Sequence, residues 1–291
     1  MRPPPPARRW KKPTTPTPRP LPRQCTALCG KGEMPPIQVS VIMPALNEQR
    51  NILKALGNTL QAFSDYGISG EVVVINDGSS DRTGELVQEI AEVEERVRTI
   101  THSAPQGVGA SFWEGIEAAR GEVVVMMPGD NENDPWETLR YLGLLDHVDI
   151  VIPFVFNKEV RSLFRNALSF AYRFIINTTF AVNFNYTNGT VLYRRSILKG
   201  LNFRSQGFFF QTDILVRSVK AGFLFAEVPY RLAQRREGVS KAVTFPSLFK
   251  VCQGYLRLCR DIYFNQQTGF SGEPEEDSQT RKRKNDKSTM C

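Results

Sequence analysis

From residue 37 onward the chain alternates short apolar runs with segments of helical periodicity. The run IQVSVIMPALNE, residues 37–48, predicts a buried strand stopped at Pro44, with Asn47 placed to cap the next helix. Beyond it Ile52, Leu53, Leu56, Leu60 and Phe63 recur at helical spacing. EVVVIND (71–77) predicts a second buried strand, and residues 79–94 a second helix beginning near Ser80 or Asp81. VRTITHS (97–103) predicts a third, shorter strand and residues 107–120 a third helix. GEVVVMMPGD (121–130) predicts a fourth strand, with a further helix opening near Pro135. This alternation predicts an α/β fold, a mostly parallel central sheet with helices on both faces.

Ligands on such sheets bind at the carboxyl ends of the strands. The polar tips are therefore the places to look: Pro44–Glu48, Asn76–Asp81, Pro105–Gly109 and Pro128–Asp134. At the second tip, Asp77 and Asp81 suit hydrogen bonds from a base or a sugar hydroxyl, while Asp-Gly also suits a plain turn. Gly107, in QGVGAS, belongs to a loop that either lies beside a ligand or simply turns and packs. Asp130, Glu132 and Asp134 alternate past the fourth strand. Such spacing fits a hard divalent ion that holds substrate phosphates and neutralises a departing diphosphate; it fits a solvated helix cap equally well. No Gly-x-Gly-x-x-Gly follows the first strand and no Gly-Lys-Ser/Thr loop is present, which removes the dinucleotide and Walker-type readings.

With 291 residues, 41% of them hydrophobic, the chain can build a sizeable core. Its net charge of +7 is local, because residues 1–31 carry eight Lys and Arg and no acid. The proline-rich leader, residues 1–36, is predicted to be disordered and either brushes an anionic surface or is only solvated. A nucleic-acid partner would have to bind through that leader alone, so none is expected. Five cysteines and two histidines supply no Cys/His metal cluster and point to a reducing, cytoplasmic setting. No run reaches the roughly 18–20 uncharged apolar residues a membrane span needs. The expectation is a chain that is soluble or lies on a membrane surface.

In the second half, Arg161 and Arg165 are four apart, so one helical face can present both to phosphate oxygens. An ordinary basic surface is the alternative. Asp213 is either a helix cap or a site acid, and Glu227 reads as a surface carboxylate. Arg235, Arg236 and Lys241 surround Gly238 and Ser240, which suits a mobile basic loop closing over a diphosphate to exclude water, or a plain basic loop. Residues 244–265 predict an amphipathic helix, with Leu248, Phe249, Cys252, Leu256, Cys259 and Tyr263 accompanied by Lys250, Arg257 and Arg260. It either lies in a bilayer interface or packs on the sheet. Residues 266–291, acidic and then basic, are predicted to be disordered.

Six strings carry a resemblance: VSVIMPALNEQRNI, VVVINDGSSDRT, GVGASFWEGIEAARGEVVVMMPGDNENDP, NYTNGTVLYRRSIL, TDILVRSVKAGFLFAEVPY and RREGVSK, in that order from Val39 to Lys241. Together they resemble the family 2 glycosyltransferases of the GT-A nucleotide-diphospho-sugar transferase fold. Within them they resemble the dolichyl-phosphate mannosyltransferase and polyprenyl-phosphate glycosyltransferase group. The resemblance implies a catalytic domain over residues 37–243. It implies that Pro44, Ala45 and Glu48 make the first nucleotide contacts, that Asp77 reads the base, and that Asp130 meets Mg²⁺ or Mn²⁺ and the diphosphate as the last acid of an Asp-x-Asp. Pro128 stands where the first acid of that pair is usual, so Glu132 or Asp134 supplies further oxygens or the metal site is looser. Asn185 likewise stands where an aspartate is usual. Arg161 and Arg165 would help hold a polyprenyl (dolichyl-type) phosphate, and Asp213 would act as general base toward a hydroxyl acceptor or organise the acceptor. The implied function is inverting transfer of a hexose from a nucleotide-diphosphate sugar to that lipid phosphate, at the cytoplasmic face of a membrane or with a small membrane-anchoring partner. Two other functions stay open: a same-fold transferase glycosylating a sugar or protein hydroxyl, and a catalytically lapsed scaffold, which Pro128 supports best.

Overall fold

Three apolar runs, buried on both faces, become adjacent parallel strands of a seven-stranded sheet. The computed structural model describes residues 36–157, 163–202, 204–205, 207, 209–231, 245–265, 268–270 and 278–280, with the side chains of 163–165 and 245–248 excepted. The strands are β1 (Val39–Ala45), β2 (Gly70–Asn76), β3 (Val97–Thr101), β4 (Val123–Met126), β5 (Ile150–Val155), β6 (Leu192–Arg194) and β7 (Phe225–Tyr230). Their order across the sheet is β3-β2-β1-β4-β6-β5-β7. All neighbours are parallel except β6, which runs antiparallel to both β4 and β5. The mixed, mostly parallel sheet is the one the alternating pattern predicted.

Helices cover both faces because alternate strand residues feed two separate cores. Val39, Val41 and Met43 of β1, with Val72 and Val74 of β2, pack against α1 (Ile52–Tyr66), α2 (Thr83–Val93) and α4 (Pro135–Leu139). Ile42, Val73 and Ile75 face the other way, onto α3 (Val108–Ala118), α5 (Leu163–Phe180) and α7 (Phe210–Lys220). Each fully buried Phe, Ile or Leu in these layers, such as Phe63 and Phe112, stabilises the fold by about 1.5–3 kcal/mol. The short α6 (Arg195–Lys199) follows β6, and α8 (Phe245–Cys259) runs on into a π-helical turn, Arg260–Phe264.

Two local expectations are corrected. β1 continues through Pro44 to Ala45, and α1 starts only after Asn51. Asn47 therefore caps no helix: it adopts φ 59° and its side chain accepts the Ser80 N–H instead. Within the tail read as disordered, Ser278–Thr280 are seated on the body. The buried Asp149, just before β5, accepts hydrogen bonds from Ser278 Oγ, the Gln279 N–H and Thr280 Oγ1.

Candidate active site

The register brings the predicted tips together. Ala45, Asn76 and Thr101 lie level across β1, β2 and β3. The Asp77 N–H donates to the Ala45 carbonyl at 2.9 Å, and on the other side the Gly129 N–H donates to the Pro44 carbonyl at 3.0 Å. Asp77 and the Pro128–Asp130 turn thus flank the end of one strand, their backbones separated by about two strand spacings of roughly 4.8 Å each. This is the juxtaposition that the alternating pattern required.

Asp77 is 4% exposed and heavily engaged. Its Oδ1 accepts the Gln106 N–H at 2.7 Å and faces His102 Nδ1 at 2.7 Å; its Oδ2 accepts the Gly107 N–H at 2.8 Å. Burial pushes the Asp77 carboxyl up, but the Gln106, His102 and Gly107 donors outweigh it and hold the group below the usual carboxylate range. Gly78 makes this approach possible. It has φ 69°, and a Cβ there would stand 2.6 Å from the Ala104 carbonyl carbon. Gly107 also has positive φ, 98°, at the start of α3.

The loops after β1 and β2 are laced together. Asn47 N–H donates to Ser79 Oγ, Glu48 N–H to Thr83 Oγ1, and Gln49 N–H to Asp81 Oδ2. Asp81 also accepts from the Thr83 N–H, while Glu48 accepts from the Asn51 side chain at the start of α1. Burial opposes ionisation of Asp81, and its Thr83 and Gln49 donors reverse that, so its carboxyl lies below the usual range. The Asp81 carboxylate thus ties the two loops together, while that of Glu48 braces its own loop against Asn51.

Past β4, Asp130 Oδ1 accepts the Glu132 N–H at 3.0 Å, and Asn131 between them has φ 58°. Asn47 and Asn131 are two of the three non-glycine residues with positive φ among the described residues, and both sit on these tips. Asn tolerates that conformation better than most residues. Asp134 caps α4, its Oδ1 accepting from the Trp136 and Glu137 N–H groups. Among the described residues no group of three His, Cys, Asp or Glu gathers around a point. Asp130 and Glu132 on one turn fit an ion completed by diphosphate oxygens and water, as hard divalent cations in phosphate sites commonly are.

The second half of the sheet is built differently. β5 and β7 end at Val155 and Tyr230 on the same edge as the tips, and the Tyr230 hydroxyl accepts the Asp134 N–H. Arg161, Arg235 and Lys241 lie outside the described residues, and so does the Arg165 side chain, whose backbone belongs to α5. Asp213 is no cap: it sits inside α7, 3% exposed, paired at 3.0 Å with Arg217 one turn on. Arg217, 1% exposed, also pairs with Asp261 at 2.7 Å. Burial pushes the Asp213 carboxyl up to about 6 against the pull of Arg217. Glu227 is not a plain surface carboxylate either. It lies within β7 and accepts both the backbone and side-chain N–H of Asn185, whose carbonyl accepts from Arg173.

His102 and Glu114 escaped the sequence reading. His102 follows β3 directly, its ring between Asp77 and Glu114, where Nε2 is hydrogen-bonded to Glu114 Oε2. Its position one residue past the third strand, on the edge that carries Asp77, was the available signal.

Residues 40–201, more than half of the chain, match glycosyl transferase family 2, and the chain belongs to that family. It is a nucleotide-sugar-dependent glycosyltransferase of GT-A fold. Over 237 residues it is 30% identical to the polyprenol monophosphomannose synthase of Mycolicibacterium smegmatis, a match covering 75% of this chain and 86% of that one. It is 28% identical over 207 residues to an undecaprenyl-phosphate 4-deoxy-4-formamido-L-arabinose transferase of Edwardsiella ictaluri, spanning 70% of this chain and 62% of the relative. Glucosyl-3-phosphoglycerate synthase of Mycobacterium tuberculosis, solved with Mn²⁺, uridine-diphosphate-glucose and phosphoglyceric acid, superposes with a TM-score of 0.57 at 20% identity, over 77% of this chain and 80% of that one.

Proposed function

We propose that the chain transfers a hexose from a nucleoside-diphosphate sugar to a polyprenyl phosphate, inverting the anomeric carbon. The observation that supports the donor side is the pair of acidic tips, Asp77 and Asp130, on either side of the end of β1. In this reading Asp77, the Pro44–Glu48 loop and Gly107 seat the nucleotide, and Asp130 with Glu132 holds Mg²⁺ or Mn²⁺ against the diphosphate. The bound ion supplies positive charge where the leaving group becomes negative. Arg161, Arg165 and the Arg235–Lys241 segment hold acceptor and donor phosphates. A lipid phosphate oxygen, already ionised at neutral pH, attacks the anomeric carbon from the face opposite the diphosphate. No base is needed, which agrees with an Asp213 carboxylate turned into a buried ion pair.

Exposed aromatic and aliphatic side chains support a lipid acceptor. Phe170, Phe174 and Ile175 on α5, and Phe249, Leu256 and Phe264 on α8 and the turn beyond it, stand in solvent with Arg173, Lys250 and Arg257 nearby in the chain. No helix among the described residues is long and apolar enough to cross a membrane. Such a face suits peripheral docking. The sequence relatives named for polyprenol and undecaprenyl-phosphate chemistry support the same acceptor.

A second reading has its own support: the structural neighbour solved with phosphoglyceric acid shares the fold, and a hydroxyl acceptor of that kind would need a base. Incubation with a panel of nucleotide sugars, a short polyprenyl phosphate and a small phosphorylated hydroxyl acid, followed by mass spectrometry, separates them. A lipid-linked hexose supports the first reading; a sugar carried only on the hydroxyl acid replaces it with the second.

A further inference from the structure

The His102 ring is buried at the edge where nucleotide seating is proposed, and it touches two carboxylates at once. Nδ1 stands 2.7 Å from Asp77 Oδ1, and Nε2 is hydrogen-bonded to Glu114 Oε2. The charged groups facing it are Asp77 from the tip of β2 and Glu114 from α3. Its backbone N–H is also fixed, donating to the Asn76 carbonyl at 2.9 Å, so the end of β3 is tied to β2 beside Asp77. Only an imidazolium can donate to both carboxylates; a neutral ring has one N–H and turns a lone pair toward the other oxygen.

We propose that His102, as an imidazolium bridging Asp77 and Glu114, is a positioning residue that aims the Asp77 carboxylate and the Gln106–Gly107 backbone for the donor nucleotide, so that donor affinity falls as the histidine loses its proton. The proposal rests on the reading of Asp77 as part of the donor seat. Its geometric basis is economy of contacts. Oδ1 of Asp77 already accepts the Gln106 N–H and faces His102, while among the described residues Oδ2 accepts the Gly107 N–H alone and has a further lone pair to offer a ligand. Loss of the His102 proton leaves one ring N–H for two carboxylates, so whenever that N–H serves Glu114 the Asp77 carboxylate faces a lone pair and is held by the Gln106 and Gly107 donors alone. Burial disfavours the charged ring, but its hydrogen bonds to Glu114 and Asp77 outweigh burial and raise the histidine above its ordinary range. The bridged state is therefore complete below the unfolded value of about 6.5 and is lost as pH rises through the raised one. Glu114 is partly exposed, its side chain at 43%, which makes it replaceable without emptying the core.

The experiment measures the Kd of UDP and of GDP, each with Mg²⁺, by calorimetry from pH 6 to 9.5, for the full chain and three variants. The unaltered chain should weaken at the alkaline end. Glu114→Gln should shift that limb to lower pH, and His102→Gln should flatten it with affinity about tenfold lower at pH 6.5, the cost of losing one hydrogen bond to a charged group. Carbon-13 NMR of the ring, simple in a chain with two histidines, should show a His102 titration that moves upward when nucleotide is added, because linkage is reciprocal. A Glu114→Gln profile that overlays the unaltered one, or a His102 titration indifferent to nucleotide, overturns the proposal. Asp77→Asn distinguishes a wrong seat from a wrong role for the histidine. If it retains full nucleotide affinity, the seat itself is wrong and the proposal goes with it; if it loses affinity while His102→Gln keeps the original pH dependence, the seat stands and only the proposal fails.

Discussion

The two halves of the sheet treat a buried carboxylate in opposite ways. At the tip of β2, Asp77 is met by two backbone N–H groups and a histidine, and its carboxyl is held down. Inside α7, Asp213 must share Arg217 with Asp261, and burial wins, pushing it up to about 6. Both are almost completely out of water. What separates them is depth and supply: Asp77 lies at the mouth of the sheet and Asp213 deep in the body. Backbone donors at a strand tip come with the fold and favour the anion at no further desolvation cost, whereas one buried guanidinium between two acids leaves negative charge partly uncompensated. The first half of the sheet thus presents charge at its strand tips, and the described part of the second half absorbs it into the core.

The largest effect should come from the tip beyond β4. Asp130→Asn is expected to lower the rate of hexose transfer by about 10²–10³-fold, as loss of one preorganised electrostatic group does, with little change in thermal stability. A rate within threefold of the unaltered enzyme would remove Asp130 from the chemistry and with it the contrast between the halves.

Asp213→Asn comes next and acts on stability. Between about pH 4 and 6 the unfolded chain has released the Asp213 proton and the native chain still holds it. The native state then binds more protons, so stability falls as pH rises through that window, by on the order of 3 kcal/mol, and is flat above it. Denaturant unfolding across pH should show this slope in the unaltered chain and lose it in Asp213→Asn. Asp77→Asn should do the reverse, removing a contribution that is present above the unfolded value and lost as acid titrates the depressed group. Equal slopes in both variants would erase the comparison. Transfer by Asp213→Asn at pH 7.5 sharpens the acceptor question as well, since a phosphate nucleophile tolerates the change and a hydroxyl nucleophile does not.

Gly78→Ala should cost about 1–3 kcal/mol, because the new Cβ meets the Ala104 backbone at a positive φ. Nucleotide affinity should fall with it, as the Asp77 turn is pushed away from Gln106 and Gly107; stability lost with affinity intact would detach that turn from the donor seat. The smallest effect on the fold belongs to Phe174→Ser. It should change stability by less than about 0.5 kcal/mol while reducing flotation with anionic vesicles, and unchanged flotation would remove α5 from any docking face.

The first half of the sheet was readable because its signals are local. VVVIN followed by Asp-Gly announces a strand and its turn within a few residues, and period-2 burial follows from the pleat. Asp77 and Asp130 could be nominated from those tips alone. β5 to β7 were not readable for equally physical reasons. β5 contains Pro153, tolerated because β5 pairs with β6 only at Ile150 and Val151. β6 has three residues, and β7 is an edge strand with Glu227 and Pro229 in it. α7 looked half polar, QTDILVRSVK, yet Phe210–Ser218 are all buried, because Asp213 and Arg217 neutralise each other across one turn.

Sequence alone determined the α/β alternation, the family motifs and the acids at the strand tips, since periodicity and turn chemistry are properties of neighbouring residues. Tertiary structure decided what each acid does. It tied Asp81 to the loop after β1, set the Asp213–Arg217 pair against a second acid, Asp261, from the far end of the chain, and set His102 between Asp77 and Glu114. Those roles depend on which donors and charges arrive from distant segments, and the energy of a buried carboxylate is set by such neighbours rather than by its place in the chain.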